Sequence, residues 1–83
     1  GAVYEGEWKA DKKEGRGTYR SASGATVVTF WKAGAPVGEG VQWSADGTAA
    51  WRLQDGEPGE AISLEEARQT AARLGLPVPA HVG

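Results

Sequence analysis

The sequence has no cysteine and no methionine, one histidine, and no apolar run near the ~20 residues of a membrane-spanning helix. Without cysteine there is no disulfide framework and no thiolate metal site. The lone histidine, His81, lies in a Pro-containing tail. It has no second imidazole with which to bind a metal and no place in a Ser-His-Asp arrangement. Charge of one sign is also scarce: nine basic residues face eleven acidic ones, a net charge of −2, which excludes a global pull toward nucleic acid. The balance is uneven along the chain. Residues 1–40 hold six Lys/Arg and five acids, and residues 41–83 hold three Arg and six acids. This reads as two solvated faces. At 83 residues the chain makes one small domain with a marginal core. A first residue of Gly1 with no methionine anywhere suggests a processed or excised piece of something longer.

What is abundant is glycine, 13 of 83 residues, spaced as punctuation. Tyr4, Trp8, Lys9, Ala10, Gly15, Gly17, Ala22 and Gly24 return 23 positions later as Val27, Trp31, Lys32, Ala33, Gly38, Gly40, Ala45 and Gly47. A period in the low twenties is the mark of a repeat array. Val3 to Lys9 alternates with period two and predicts a strand. Ala10 to Glu14 is a polar turn, Gly15 to Arg20 a return strand, and Ser21 to Gly24 a second turn. The plan repeats with Thr26 to Lys32, Ala33 to Pro36, Gly38 to Trp43 and Ser44 to Gly47. A third unit is worn. Thr48 to Gln54 still reads as a strand with Trp51 and Leu53 on one face, and Asp55 to Pro58 turns. Aligning Gly56 with Gly34 shortens the period to 22, and Gly59-Glu-Ala61 replaces the Gly-x-Gly pair.

The period then becomes helical. Ser63-Leu-Glu-Glu66 predicts a capping box, Leu64, Ala67, Ala71 and Leu74 an apolar stripe, and Gly75 with Pro77 and Pro79 a stop. The helix is expected to fold back over the last hairpin. Residues 76–83 are expected to be extended and polyproline-like.

Tyr4-x-Gly6-x-Trp8, Gly15-x-Gly17 and the closing Gly24 resemble the membrane occupation and recognition nexus, or MORN, repeat. Residues 27–47 match in part, through Trp31, Gly34, Gly38, Gly40 and Gly47, with Val27 for Tyr and Thr29 for Gly. Residues 49–62 match weakly, through Trp51, Leu53 and Gly56. The resemblance implies a mainly β fold: antiparallel hairpins joined into one elongated twisted sheet over residues 1–62. A capping helix over 63–75 and the tail complete the chain, which reads as the C-terminal end of an array. It further implies a scaffold that binds partner proteins, self-associates or touches phospholipid, in an intracellular setting, cytoplasmic or organellar. No cofactor is implied.

Within that frame, Trp8 and Trp31, at the repeat's own position, are expected in the core. Trp43 and Trp51 are expected to be the exposed, partner-facing pair. Lys12, Lys13 and Arg16, with Lys9 and Arg20, would form the lipid-facing alternative on the first hairpin. Against that stands a solvated hairpin with Glu5, Glu7, Asp11 and Glu14 interleaved. Neither Gly-x-Gly precedes a helix or carries a Lys-Ser/Thr ending, so neither is a phosphate loop. Glu65 and Glu66 are neighbours on a helix and face different ways, so they read as capping residues and not as an acid/base pair. The expected activity is non-catalytic. Partners are expected at the open sheet edge of the first strand.

Overall fold

The computed structural model describes residues 2–79. His81 therefore lies outside the described residues. Six strands follow one another in space as they do in sequence: β1 (Val3–Lys9), β2 (Lys12–Arg20), β3 (Thr26–Lys32), β4 (Ala35–Trp43), β5 (Ala50–Gln54) and β6 (Glu57–Ile62). Every neighbouring pair is antiparallel, and one helix, α1 (Leu64–Leu74), follows.

The turns within the three hairpins are tighter than the sequence suggested. Each is two residues long, at Ala10-Asp11, Ala33-Gly34 and Asp55-Gly56, and all six residues have positive φ. That is the geometry whose twist matches flanking strands. β2 and β4 therefore start earlier than Gly15 and Gly38, because the residues after each turn, Lys12 and Lys13 in one and Ala35 to Val37 in the other, pair directly in the ladder. Ala33, at φ 51°, occupies the left-handed region without a side chain suited to it. Ala33→Asn should raise stability by roughly 0.5–1 kcal/mol, read as a higher denaturation midpoint with unchanged slope.

The Gly-x-Gly pairs lie inside strands and have two separate tasks. The first glycine forms a bulge: Gly15 and Gly38 have φ of 77° and 73°, and the register shifts opposite them, between Gly6 and Trp8 and between Val28 and Phe30. The second glycine makes room. A Cβ on Gly17 would run into the Tyr4 ring, and one on Gly40 would stand 2.6 Å from the Val28 carbonyl oxygen. In the third hairpin the register slips by one residue between Trp51 and Leu53, with no positive-φ glycine at the slip. That is the structural content of the worn repeat.

The sheet has two unlike faces, because directly paired residues share a face. One carries Tyr4, Gly6, Trp8, Lys13, Gly17, Tyr19, Thr29, Trp31, Gly40, Trp51 and Leu53. The other carries Val28, Val41, Trp43 and Ala50, and these form a buried cluster with Ala67, Ala71 and Leu76. Helix α1 packs on that second face, over β4 and β5.

Ser63 caps α1 by accepting the Glu66 N–H at 3.0 Å, and Gly75, at φ 74°, closes it. The Glu66 carboxylate is turned toward Arg52, which donates to it at 2.7 Å, so this half of the predicted capping box ties the helix to β5 instead. The tail does not begin as a free extended segment: Leu76 is buried, and its N–H donates to the Ala71 carbonyl at 2.8 Å. A leucine directly after the helix has an apolar surface to cover, and the Gly75 turn aims it back at the sheet.

Candidate functional site

Among the described residues there is no cluster of three or more His, Asp or Glu side chains placed to hold a metal ion. No helix among the described residues is long and apolar enough to cross a membrane. The surface feature that remains is aromatic, and it lies on the face without the helix.

On that face Tyr4 is the hub. Its ring meets Trp8 edge-on at 5.0 Å and Trp31 edge-on at 5.5 Å, and Tyr19 leans on Trp31 at 6.3 Å. Such contacts exploit the ring quadrupole. Gly6 and Gly17 pair directly across the first hairpin and offer no side chains, so the Tyr4 ring lies over both. Two hydrogen bonds hold the rings: the Tyr4 hydroxyl donates to the Glu7 carbonyl at 3.0 Å, and Trp31 Nε1 donates to the Gly17 carbonyl at 3.3 Å. Burial under its neighbours raises the Tyr4 hydroxyl above its ordinary value of 10.0, and the Glu7 carboxylate adds to the rise.

The repeat position of tryptophan is occupied by Trp8, Trp31 and, counted back from the third turn, Leu53. Their exposures are 58%, 7% and 0%. The expectation that Trp8 is core is thus corrected, while Trp31 is buried as expected. Trp31 is covered by Tyr4 from the hairpin before it. Among the described residues nothing precedes β1 to cover Trp8.

The expectation for Trp43 is also corrected. Its side chain is 0% exposed, sealed in the cluster beneath α1. Trp51 is half-buried and lies on the opposite face, so the two rings make no common surface. Strand alternation sets Trp43 against its neighbour Gln42 but carries no information on which face a later helix will cover.

The basic residues of the first hairpin are dispersed as well. Lys12 is exposed opposite Lys9. Lys13 points to the aromatic face, its Nζ 5.3 to 5.6 Å from three ring centroids. Arg16 turns to the helix, donating to the Gly75 carbonyl at 3.2 Å, with Glu7 at 3.9 Å. A cation at the C-terminal end of α1 is favourably placed against the helix dipole. These three side chains therefore form no continuous patch for anionic headgroups.

Sequence reasoning missed two features. One is the chain of ion pairs Arg73–Glu39 (2.8 Å), Glu39–Arg52 (4.0 Å) and Arg52–Glu66 (2.7 Å), which joins α1 to β4 and β5. Its members are far apart in sequence, so only the capping-box glutamate hinted at it. The other is Asp46. Its carboxylate accepts from the Ser44 hydroxyl (2.7 Å), the Thr48 hydroxyl (2.8 Å) and the Thr48 N–H (3.1 Å). These bonds, the Ser44 one foremost, lower its pKa from 3.8 to about 2. The folded value is depressed, so the contribution is complete above the unfolded value and is lost as pH falls through about 2. The protection of the Thr48 amide relative to its intrinsic exchange rate should fall as pH drops from about 4 toward about 2, and Asp46→Asn should remove that pH dependence.

The family model of the MORN repeat matches residues 4–26 and 30–49. No curated protein matches the chain. MORN repeats are a non-catalytic module commonly involved in protein–protein or membrane interactions.

Proposed function

The chain belongs to the MORN-repeat family, and on that premise we propose that it is a non-catalytic protein–protein interaction module that acts by adding a strand to β1. It serves as the finishing end of an array or as an accessory component of a larger assembly. The observation that carries this reading is the contrast between Trp8, 58% exposed, and Trp31, 7% exposed at the equivalent position. Among the described residues β1 pairs only with β2, so its outer edge offers unmatched backbone groups beside an uncovered indole. An edge of that kind is recognised by β-augmentation, with main-chain bonds for affinity and side-chain fit for specificity.

The interior of the sheet indicates what fits. β2 lies on β3 with Gly15 opposite Trp31, Gly17 opposite Thr29 and Tyr19 opposite Val27. Shifted by one repeat, the same register would set glycines against Trp8 and Gly6 and an aromatic against Tyr4. The opposite face of β1 carries Glu5 and Glu7, so the incoming strand needs neutral or basic residues there. A second β1 would oppose glutamate to glutamate, which disfavours a symmetric pairing. The partner is therefore a strand with small residues facing Trp8 and basic residues facing the glutamates. A membrane reading gains no support from the first hairpin, whose basic residues are dispersed.

A peptide with the sequence of β2, KKEGRGTYR, is the direct probe. It should bind the full chain saturably and change the Trp8 fluorescence, and a scrambled peptide should not. Trp8→Ala should weaken binding at least tenfold, the effect of an anchoring aromatic. Equal binding of the scrambled peptide, or no loss on Trp8→Ala, would rule the edge out.

A further inference from the structure

Lys13 is an ammonium among rings. Its Nζ stands 5.3 Å from the Tyr4 centroid, 5.4 Å from Trp31 and 5.6 Å from Tyr19. None of the ion pairs among the described residues involves it. Each distance lies within the ~6 Å over which a cation is attracted to a ring face. The walls are fixed in advance: the Tyr4 hydroxyl is held by the Glu7 carbonyl, the Trp31 indole by the Gly17 carbonyl, and Gly6 and Gly17 leave the space in which Tyr4 lies. Three rings around one cation, two of them held by hydrogen bonds, have the composition of a site for alkylammonium groups.

From this geometry we infer that the Tyr4–Tyr19–Trp31 cage is a binding site for a quaternary ammonium group, with Lys13 as its internal occupant and competitor. A primary ammonium is compact and strongly hydrated, so it gains little from leaving water for the rings. A trimethylammonium group has no N–H to leave unsatisfied, and its methyls bury apolar surface against the same rings. Lys13 sits on a flexible four-carbon stem near the end of its hairpin, two residues past the turn, and can swing into solvent. The free cage is then only a fraction of the population, and that fraction lowers the apparent affinity of the wild-type chain. Lys13 is in this respect a built-in gate.

The probe is tetramethylammonium chloride, with sodium chloride at matched ionic strength and tert-butanol as a neutral control of similar shape. The readout is the Trp31 indole N–H resonance. Lys13→Ala and Lys13→Gln, each first shown to keep the wild-type near-ultraviolet circular dichroism, should bind the probe on the order of millimolar and at least tenfold more tightly than wild type. Tyr19→Ala added to Lys13→Ala should abolish binding. Phosphocholine and Nε-trimethyllysine amide, tested in parallel, identify whether a headgroup or a modified side chain is the better source. Absence of a saturable shift in both folded Lys13 variants would overturn the proposal. So would an equal response to tert-butanol, which would mean a hydrophobic hollow without selectivity for the cation.

Discussion

Trp43→Ala should be the most destabilising single substitution in this chain, lowering stability by about 3–5 kcal/mol. Trp43 is fully buried at the centre of the cluster formed by Val28, Val41, Ala50, Ala67, Ala71 and Leu76. Removing it leaves a cavity between the sheet and helix α1. A small domain holds roughly 5–15 kcal/mol in total, so much of the native margin would go. The melting temperature should fall by roughly 12–40 °C, at about 4–8 °C per kcal/mol for a domain of this size. Trp51→Ala, at a half-buried position on the other face, should cost less than about 2 kcal/mol. Trp43→Phe should be much milder than Trp43→Ala. It keeps most of the volume and removes an indole N–H that has no hydrogen-bond partner in its buried position. Thermal melts of the three variants check this. A Trp43→Ala protein as stable as Trp51→Ala would mean that α1 does not seal the second face.

Gly40→Ala should produce the second-largest effect, about 2–3 kcal/mol from one added methyl group. Its Cβ would stand 2.5 Å from Thr29 Oγ1, 2.6 Å from Thr29 Cβ and 2.6 Å from the Val28 carbonyl oxygen. Two of these are fixed by backbone or lie one bond from it, so no rotamer change relieves them. Gly38→Ala is a contrasting case. It has open space around its Cβ but a φ of 73°, so its cost is conformational, near 1–2 kcal/mol. Thr29→Gly should recover part of the Gly40→Ala loss, because it removes the side chain in the way. It also deletes a buried hydroxyl oxygen that lacks a partner. The first hairpin carries glycine at the position equivalent to Thr29, with Gly6 directly opposite Gly17. A double-mutant cycle in denaturant should show a coupling of at least about 0.5 kcal/mol, and strict additivity would refute the contact.

Much of the fold was legible because it rests on local signals. Alternation over Val3–Lys9, the aromatic and branched run Thr26–Lys32 and the glycine-marked turns each act within a few residues. The helix limits followed from Ser63 and Gly75. The hairpin turns were read too long because Lys12, Lys13 and Glu14 look like loop residues. In the sheet they pair directly or accommodate the bulge at Gly15, where the Arg16 N–H donates to Glu7 Oε2 at 2.7 Å.

The candidate site was less legible. Lys13 and Arg16 look alike in a basic run, yet one faces three rings and the other holds the end of a helix 59 residues away in sequence. Their separation depends on the sheet's two faces and on the bulge between them, neither of which a composition count registers.

The sequence by itself determined the period, the hairpin order, the helix with its caps and the family to which the repeats belong. Each of these follows from residue types within one turn or one repeat. Only the tertiary structure decided which face the helix would cover. That choice buried Trp43 and left the aromatic face around Lys13 open, while Trp8 is bare because β1 is the edge strand. Exposure is a property of what packs from elsewhere in the chain, and alternation assigns sides without saying which side will be inside.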